Sequence, residues 1–318
     1  MGKKSRRTTK AEPTAAGEVG PRQPCPCGSG RRYKACHGSA DGATPYVLRS
    51  FEGLPGECDL IALREFVPAA QAPLTLRPGA YDGRADGRSA ALTTLLPGLV
   101  PAQVRENGEV WVALQVPHQS GDPSRDFAEA LRLGLESEPG TSVVMPGLPA
   151  PGPRLQDVVD PEGDVEVTVL EGFEFWFEGK ADDDPAVAAT LEQLNASIDP
   201  TSRLASVEAA YWTSVGAKEH LRWVMPYDED TLLDALARLR AADADRLGED
   251  TRLVGSFRAH GLLVPVWDLP LGTGAEAIED AAAAFAERLG EALADDTGLT
   301  TDERSARQGL TNRQLTIR

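Results

Sequence analysis

Apolar residues along this chain follow a recurring order: two runs with strand-like patterning, a loop, and then a stretch with helical spacing. The second run of each copy lies near a tryptophan and is followed by a loop with Asp, Pro or Gly. Short loops that contain glycine typically join strands into hairpins. The pattern therefore predicts four β-hairpin–helix units. Their paired strand runs are 91–96 with 110–116, 165–170 with 173–177, 210–215 with 220–225, and 253–257 with 262–267.

The helical stretches carry apolar residues at positions i, i+3, i+4 and i+7, so each should bury one face. Asp122 and Asp184 each precede a proline, which fits a helix N-cap followed by proline at the first helical position. Asp228 can cap the third helix in the same way. A shorter amphipathic helix is predicted from Asp59 to Phe66, ahead of the first unit.

These elements predict an α+β protein, with an antiparallel sheet and helices packed on one face. The large aromatics near the strand ends are expected to fill the core rather than to line a ligand site. The predicted divisions are a disordered basic tail at 1–20, a knuckle at 21–38, a linker at 39–50, a first half at 51–145, a Pro/Gly joint at 146–155, a second half of three hairpin–helix units at 156–300, and a C-terminal tail at 301–318 in which a short helix can begin.

Charge is distributed unevenly along the chain. Residues 1–38 hold nine Lys or Arg against two Asp or Glu, whereas the whole chain has a formal net charge of −17. The acidic body should repel nucleic acid, while the basic head could contact RNA or an acidic protein surface, or could simply be solvated. No run of eighteen apolar residues predicts a membrane span, and no apolar stretch follows the basic N-terminus as in a secretory signal. We expect a cytoplasmic protein.

Three of the four cysteines and one histidine fall within thirteen residues near the front of the chain. Three thiolates and one imidazole make a full tetrahedral set for one structural Zn²⁺ ion, with no position left open for catalysis. Gly28 and Gly30 allow so short a loop to fold back. The fourth cysteine, Cys58, is expected to be a small buried apolar residue. The predicted zinc ligands are Cys25, Cys27, Cys36 and His37.

This segment resembles the SEC-C motif, the zinc-binding tail of the SecA preprotein translocase ATPase. The matching positions are Cys25, Cys27, Gly28, Ser29, Gly30, Tyr33, Lys34, Cys36, His37 and Gly38. In the translocase this tail contacts the chaperone SecB and the ribosome. The resemblance therefore implies a docking role, with Arg31, Arg32, Tyr33 and Lys34 as candidate partner-binding residues. The whole chain resembles an uncharacterised bacterial family in which such a knuckle precedes a domain of unknown function.

Several motifs that carry enzyme chemistry are missing from the sequence. The phosphate-binding string GxxxxGK followed by Ser or Thr does not occur, so the chain is not expected to be a translocase ATPase. Gly272-Thr273-Gly274 lacks the third glycine of a dinucleotide loop and is interpreted as a loop before a helix. His118, His220 and His260 are each isolated, with His118 and His260 expected to be exposed. The run 182–184 is interpreted as capping and solvation rather than as a cation site.

Three functions remain open at this point. The leading hypothesis is a zinc-binding adaptor that docks on a cytoplasmic partner, the ribosome or a SecB-like export chaperone. The first alternative is an enzyme in the α+β domain, which a deep pocket joining His220 or His260 to acidic residues would favour. The second alternative is RNA binding through residues 1–38. No catalytic residue is assigned by the sequence.

Overall fold

A buried helix, α1 (Glu57–Glu65), lies at the centre of the fold. The computed structural model of the protein describes residues 22–23, 32–35, 46–116, 120–145, 147, 149–177 and 185–313. Every residue of α1 from Asp59 to Arg64 is buried, including both of those charged residues. A helix that is buried on all sides must be covered by more than one layer, and two β-sheets supply that cover.

The first sheet has six strands in the order β5-β3-β4-β2-β1-β6. Neighbouring strands are antiparallel except for β2 and β4, which are parallel. Its strands are β1 (Ala70–Leu74), β2 (Ala90–Thr93), β3 (Ala102–Val104), β4 (Val110–Ala113), β5 (Ser142–Val143) and β6 (Thr168–Val169). The sheet is therefore mixed.

The second sheet has five strands in the order β10-β11-β9-β8-β7, and all neighbours are antiparallel. Its strands are β7 (Thr201–Arg203), β8 (Ala210–Val215), β9 (Lys218–Trp223), β10 (Arg252–Ala259) and β11 (Leu262–Leu269). The chain passes from the first sheet to the second between β6 and β7. Residues 146–155 thus lie within the stretch of chain that builds the first sheet.

Within the residues that the structure describes there are six further helices: α2 (Pro123–Leu135), α3 (Leu155–Val158), α4 (Pro185–Asn195), α5 (Glu229–Ala241), α6 (Glu279–Ala294) and α7 (Thr301–Thr311). The side chain of Asp228 caps α5 by accepting hydrogen bonds from the amides of Asp230 and Thr231, as the sequence predicted. Thr300 and Glu303 form a reciprocal capping box on α7. None of the helices in the described part of the chain is long and apolar enough to cross a membrane.

Two of the four predicted hairpin–helix units are confirmed. The strands β8 and β9 form a hairpin followed by α5, and β10 and β11 form a hairpin followed by the short 3-10 turn Glu276–Ile278 and then α6. Local turns fix both pairs, because Gly216 and Gly261 have the positive φ angles that tight hairpin turns require.

The first predicted unit is wrong as a hairpin, because its two strand runs became β2 and β4, which are parallel. Parallel neighbours need a crossover rather than a tight turn, and β3 lies within that crossover. The second unit is also wrong. Residues 165–170 give only β6, and 173–177 form the 3-10 turn Glu174–Phe177 rather than a strand. Packing of its aromatic side chains against Leu191 and against one another outweighed their strand propensity.

Two main cores hold the fold together. The larger joins α1 and α2 to both sheets and includes Phe51, Leu92, Phe127 and Tyr211. The other lies between the second sheet and α5, α6 and α7. Trp111, Trp223 and Trp267 are buried, which confirms their predicted core role, whereas Trp176 and Trp212 are half-buried.

Candidate functional sites: the knuckle and the His260 junction

The knuckle (residues 21–38) is described only at 22–23 and 32–35, where a 3-10 turn spans Tyr33–Ala35. The amide of Tyr33 donates a hydrogen bond to the carbonyl of Gln23 at 2.8 Å. This bond brings the chain back on itself within ten residues. The predicted ligands Cys25, Cys27, Cys36 and His37, and the basic residue Arg31, lie outside the described residues.

The three described members of the predicted partner-binding set differ in exposure. Arg32 and Lys34 are exposed, whereas Tyr33 between them is half-buried. The hydroxyl of Tyr33 accepts a hydrogen bond from the amide of Tyr46 at 2.9 Å. The tyrosine is therefore turned toward the body of the protein, and the two cationic side chains are left to the solvent.

Residues 46–51, which we call the strap, connect this tyrosine to the body. The amide of Val47 donates to the carbonyl of Gly121 at 2.8 Å. Arg49 binds both carboxylate oxygens of Glu57 at 2.6 and 2.8 Å. The carbonyl of Ser50 accepts hydrogen bonds from Arg154 and Gln156, both at 2.9 Å. Bonds at Val47, Arg49 and Ser50 make the strap part of the folded body, although the sequence predicted a linker over 39–50.

A partly buried polar cluster, the His260 junction, forms where the strap meets α1 and the β10–β11 turn. It consists of Ser50, Arg64, Glu65 and His260. Nε2 of His260 lies 3.0 Å from both Nε of Arg64 and Oε1 of Glu65, and Nδ1 lies 3.4 Å from Oγ of Ser50. Nε2 cannot accept from Arg64 and donate to Glu65 at the same time, so each tautomer of the imidazole leaves one neighbour without a bond to it.

The position of His260 differs from its predicted exposure. Its side chain is 11% exposed, and its ring lies 4.9 Å from that of Phe51. With Gly261 it forms a two-residue turn in which both residues have positive φ, 45° and 82°. Such turns favour Asn-Gly, so a histidine here is held in place by its side-chain contacts.

Burial lowers the pKa of His260, and the contact with Glu65 only partly opposes that effect. For Glu65, burial alone would raise the pKa, but the hydrogen bond and charge of His260, together with the charge of Arg64, lower it overall. The sequence did not single out Arg64 or Glu65. A signal was present, since both are charged residues at the end of a helix predicted to pack by its apolar side.

His220 also acquires an acidic neighbour. It lies opposite Asp268 in the β9–β11 register, and Nδ1 is 3.0 Å from Oδ1 of that aspartate. His118 and the carboxylate run 182–184 lie outside the described residues. A cavity of about 460 Å³ lies between residues 243–249 and α6, and its lining contains neither His220 nor His260.

The two glycine amides of the Gly272-Thr273-Gly274 loop are occupied by the protein's own carboxylate. Gly272 and Gly274 donate to Glu219 at 2.6 and 3.0 Å, and Nε1 of Trp212 donates to it at 2.8 Å. Burial alone would raise the pKa of Glu219, but these hydrogen bonds outweigh it and lower the pKa. The loop is thereby fixed ahead of α6, in agreement with its interpretation from the sequence.

Asp122 and Cys58, two other side chains singled out by the sequence, both make contacts that stabilise the fold or bury the side chain. Asp122 stands at the N-cap position of α2 but makes no capping bond, because Arg154 binds its carboxylate at 2.6 and 3.1 Å. Cys58 is half-buried against the larger core, and burial, aided by the charge of Glu57, raises the pKa of its thiol to about 12. No group of three or more His, Cys, Asp or Glu in the described ranges is placed to hold a metal ion.

Comparison with known proteins shows the family to which the body of the chain belongs. Residues 50–318 match DUF5926, a family of unknown function. The chain belongs to this family. The DUF5926 region begins at Ser50, in the strap, and contains both sheets and the seven helices found in the described residues. No solved structure matches the chain.

Ahead of the DUF5926 region, residues 22–39 match the SEC-C motif. A stretch of 31 residues is 64% identical to protein translocase subunit SecA of Acidovorax sp. (strain JS42), and to that of Acidovorax ebreus (strain TPSY) at the same identity. It makes up 9% of this chain and 3% of each SecA. The DUF5926 chain thus shares a short SecA-like element and not the length of that protein.

Proposed function

We propose that this protein is a zinc-binding adaptor, which docks through its SEC-C knuckle on a cytoplasmic partner. The observation that carries the proposal is the SEC-C match over residues 22–39, with three cysteines and one histidine at ligand positions. Cys25, Cys27, Cys36 and His37 would hold the ion. Zn²⁺ prefers such soft and borderline donors in a closed tetrahedral set. The bound ion would therefore stabilise the folded conformation of the loop and would not take part in catalysis.

The docking surface would be the basic side of the knuckle. Arg32 and Lys34 are exposed, and Arg31 precedes them in the sequence as a third charge. The partners favoured by the SecA resemblance are the ribosome and a SecB-like export chaperone. A basic knuckle would attract an anionic partner surface, while the acidic body would be repelled by RNA and would leave the knuckle to make the contact.

Co-sedimentation with ribosomes tests this function. The wild type is compared with Cys36→Ser, which removes one predicted ligand, and with Cys58→Ser, a matched control outside the knuckle. We expect Cys36→Ser to lose both stoichiometric zinc and ribosome binding, and Cys58→Ser to keep both. Arg32→Glu with Lys34→Glu should keep zinc and lose binding. Equal sedimentation of all variants, together with no chaperone captured in a pull-down, would refute the proposed adaptor function.

RNA binding by the basic head is distinguished in the same assay. If the head binds RNA, residues 1–45 should bind it on their own with a steep salt dependence, and the body should not. If the partner is a protein surface, ribonuclease-treated lysate should still yield a partner that is lost on chelation.

A further inference from the structure

The strap joins two structures that a flexible linker would leave independent. At its front, the amide of Tyr46 donates to the hydroxyl of Tyr33. Tyr33 lies three residues before the predicted ligand Cys36, and its own amide bonds to Gln23, two residues before Cys25. Tyr33 is therefore close in sequence to one half of the predicted ligand set, and its amide is bonded close to the other half.

At its back, the strap enters the larger core. Ser50 and Phe51 are 1% and 0% exposed. The ring of Phe51 stacks on that of Phe127 with centroids 6.1 Å apart. Between the two ends, Val47 is tied to Gly121, and Arg49 to Glu57. Polar linkers behave as flexible coils, whereas this segment is bonded or buried along most of its length.

We infer that zinc loading of the knuckle is coupled to the stability of the body through the Tyr33–Tyr46 hydrogen bond and the strap. This coupling presupposes the zinc binding proposed above. An ion that orders the Tyr33 turn favours the bond to Tyr46 and so the ordered strap, and by linkage the ordered strap favours zinc. The exposed Arg32 and Lys34 are then presented in a fixed direction relative to the acidic body.

Thermal unfolding of the full chain tests the coupling. All five tryptophans lie at position 111 or later, so their fluorescence reports the body and not the knuckle. We expect chelation to lower the wild-type midpoint by about 2–4 °C. One hydrogen bond contributes about 1 kcal/mol to the free energy of unfolding, and a loss of that size produces such a shift in a domain of this length. In Tyr33→Phe, which keeps the ring but loses the accepting oxygen, the effect of chelation should fall below half. Tyr227→Phe, which alters an exposed tyrosine, should respond like the wild type.

A competition titration with a chromophoric chelator gives a second measurement. Tyr33→Phe should bind zinc about fivefold more weakly than the wild type, because one hydrogen bond that favours the loaded state is gone. If elemental analysis finds stoichiometric zinc but chelation leaves the midpoint unchanged, or if Tyr33→Phe responds like Tyr227→Phe, the coupling is overturned and the docking proposal stands. If no zinc is bound by the wild type, both are overturned.

Discussion

Asp59 ties the central helix α1 to the second sheet, and its removal should destabilise the whole body. Its carboxylate accepts two hydrogen bonds from Arg203 at 2.9 and 3.0 Å and one from the hydroxyl of Tyr211 at 2.6 Å. The residue is 6% exposed. In Asp59→Ala, the phenol of Tyr211 and the guanidinium of Arg203 both lose this partner. The contact is thus both buried and charged, which is the combination that truncation penalises most.

The expected magnitude follows from these contacts. Breaking a fully buried ion pair costs about 3–5 kcal/mol. The side chain of Arg203 is 27% exposed, so water can recover part of its hydration, and the lower end of that range applies. We expect Asp59→Ala to lose about 3 kcal/mol, which corresponds to a fall of roughly 6–12 °C in the thermal midpoint. Tyr211→Phe removes one of the three hydrogen bonds and should lose about 1.5 kcal/mol.

Tryptophan fluorescence during thermal and urea unfolding measures both variants. Asp296→Ala, at an exposed site between α6 and α7, is the matched control and should shift the midpoint by less than 1 °C. The double variant Asp59→Ala with Tyr211→Phe should be less destabilised than the sum of the single variants, because the two share one contact. A midpoint for Asp59→Ala as high as that of the control would refute the reasoning, and would mean that apolar contacts alone hold α1 to the second sheet.

The remaining predictions concern packing, pH and a loop. Gly134→Ala should destabilise the protein by about 1–3 kcal/mol because the added Cβ would overlap a buried valine of β4, whereas Gly290→Ala, with open space around it, should stabilise it by up to about 1 kcal/mol. Urea unfolding midpoints compare the two variants, and midpoint shifts of the same sign would contradict the packing. Because the pKa of His260 is lowered in the folded protein, the unfolded chain binds more protons as the pH falls below 6.5, so the free energy of unfolding should fall between pH 7.5 and 5.5, and less steeply in His260→Asn. Equal slopes of unfolding free energy against pH in the two proteins would exclude a contribution of His260 to this pH dependence. Glu219→Gln should lose about 1–3 kcal/mol of unfolding free energy and speed amide hydrogen exchange in residues 272–274. Unchanged exchange would show that the carboxylate does not hold this loop.

Local sequence patterns were sufficient wherever an element is stabilised by its own neighbours. The hairpin β8–β9 and the helix α5 follow from alternation, a turn glycine and an Asp cap, all within about thirty residues. The hairpin β10–β11 is of the same kind. The zinc ligands stay a prediction from a short stretch, in which four donors and two glycines at fixed spacing are typical of such a site.

Contacts between distant parts of the chain required the tertiary structure. The parallel pairing of β2 and β4 depends on a crossover whose path no local pattern specifies. The aromatic run at 173–177 has strand propensity, yet its rings pack against Leu191 and one another as a 3-10 turn. Arg105, about seventy positions earlier in the chain, also donates to the carbonyls of Phe175 and Trp176, and these two contacts exist only in the tertiary structure.

The same distinction separates the two candidate sites. The sequence by itself determined the SEC-C motif and the charge difference between head and body, because both are properties of residue order and type. Only the tertiary structure decided that His260 meets Glu65 across 195 positions, and that the segment behind the knuckle is held by the body. Burial lowers the dielectric around such groups and makes each contact stronger, but burial is a result of the whole fold and is not encoded at any single position.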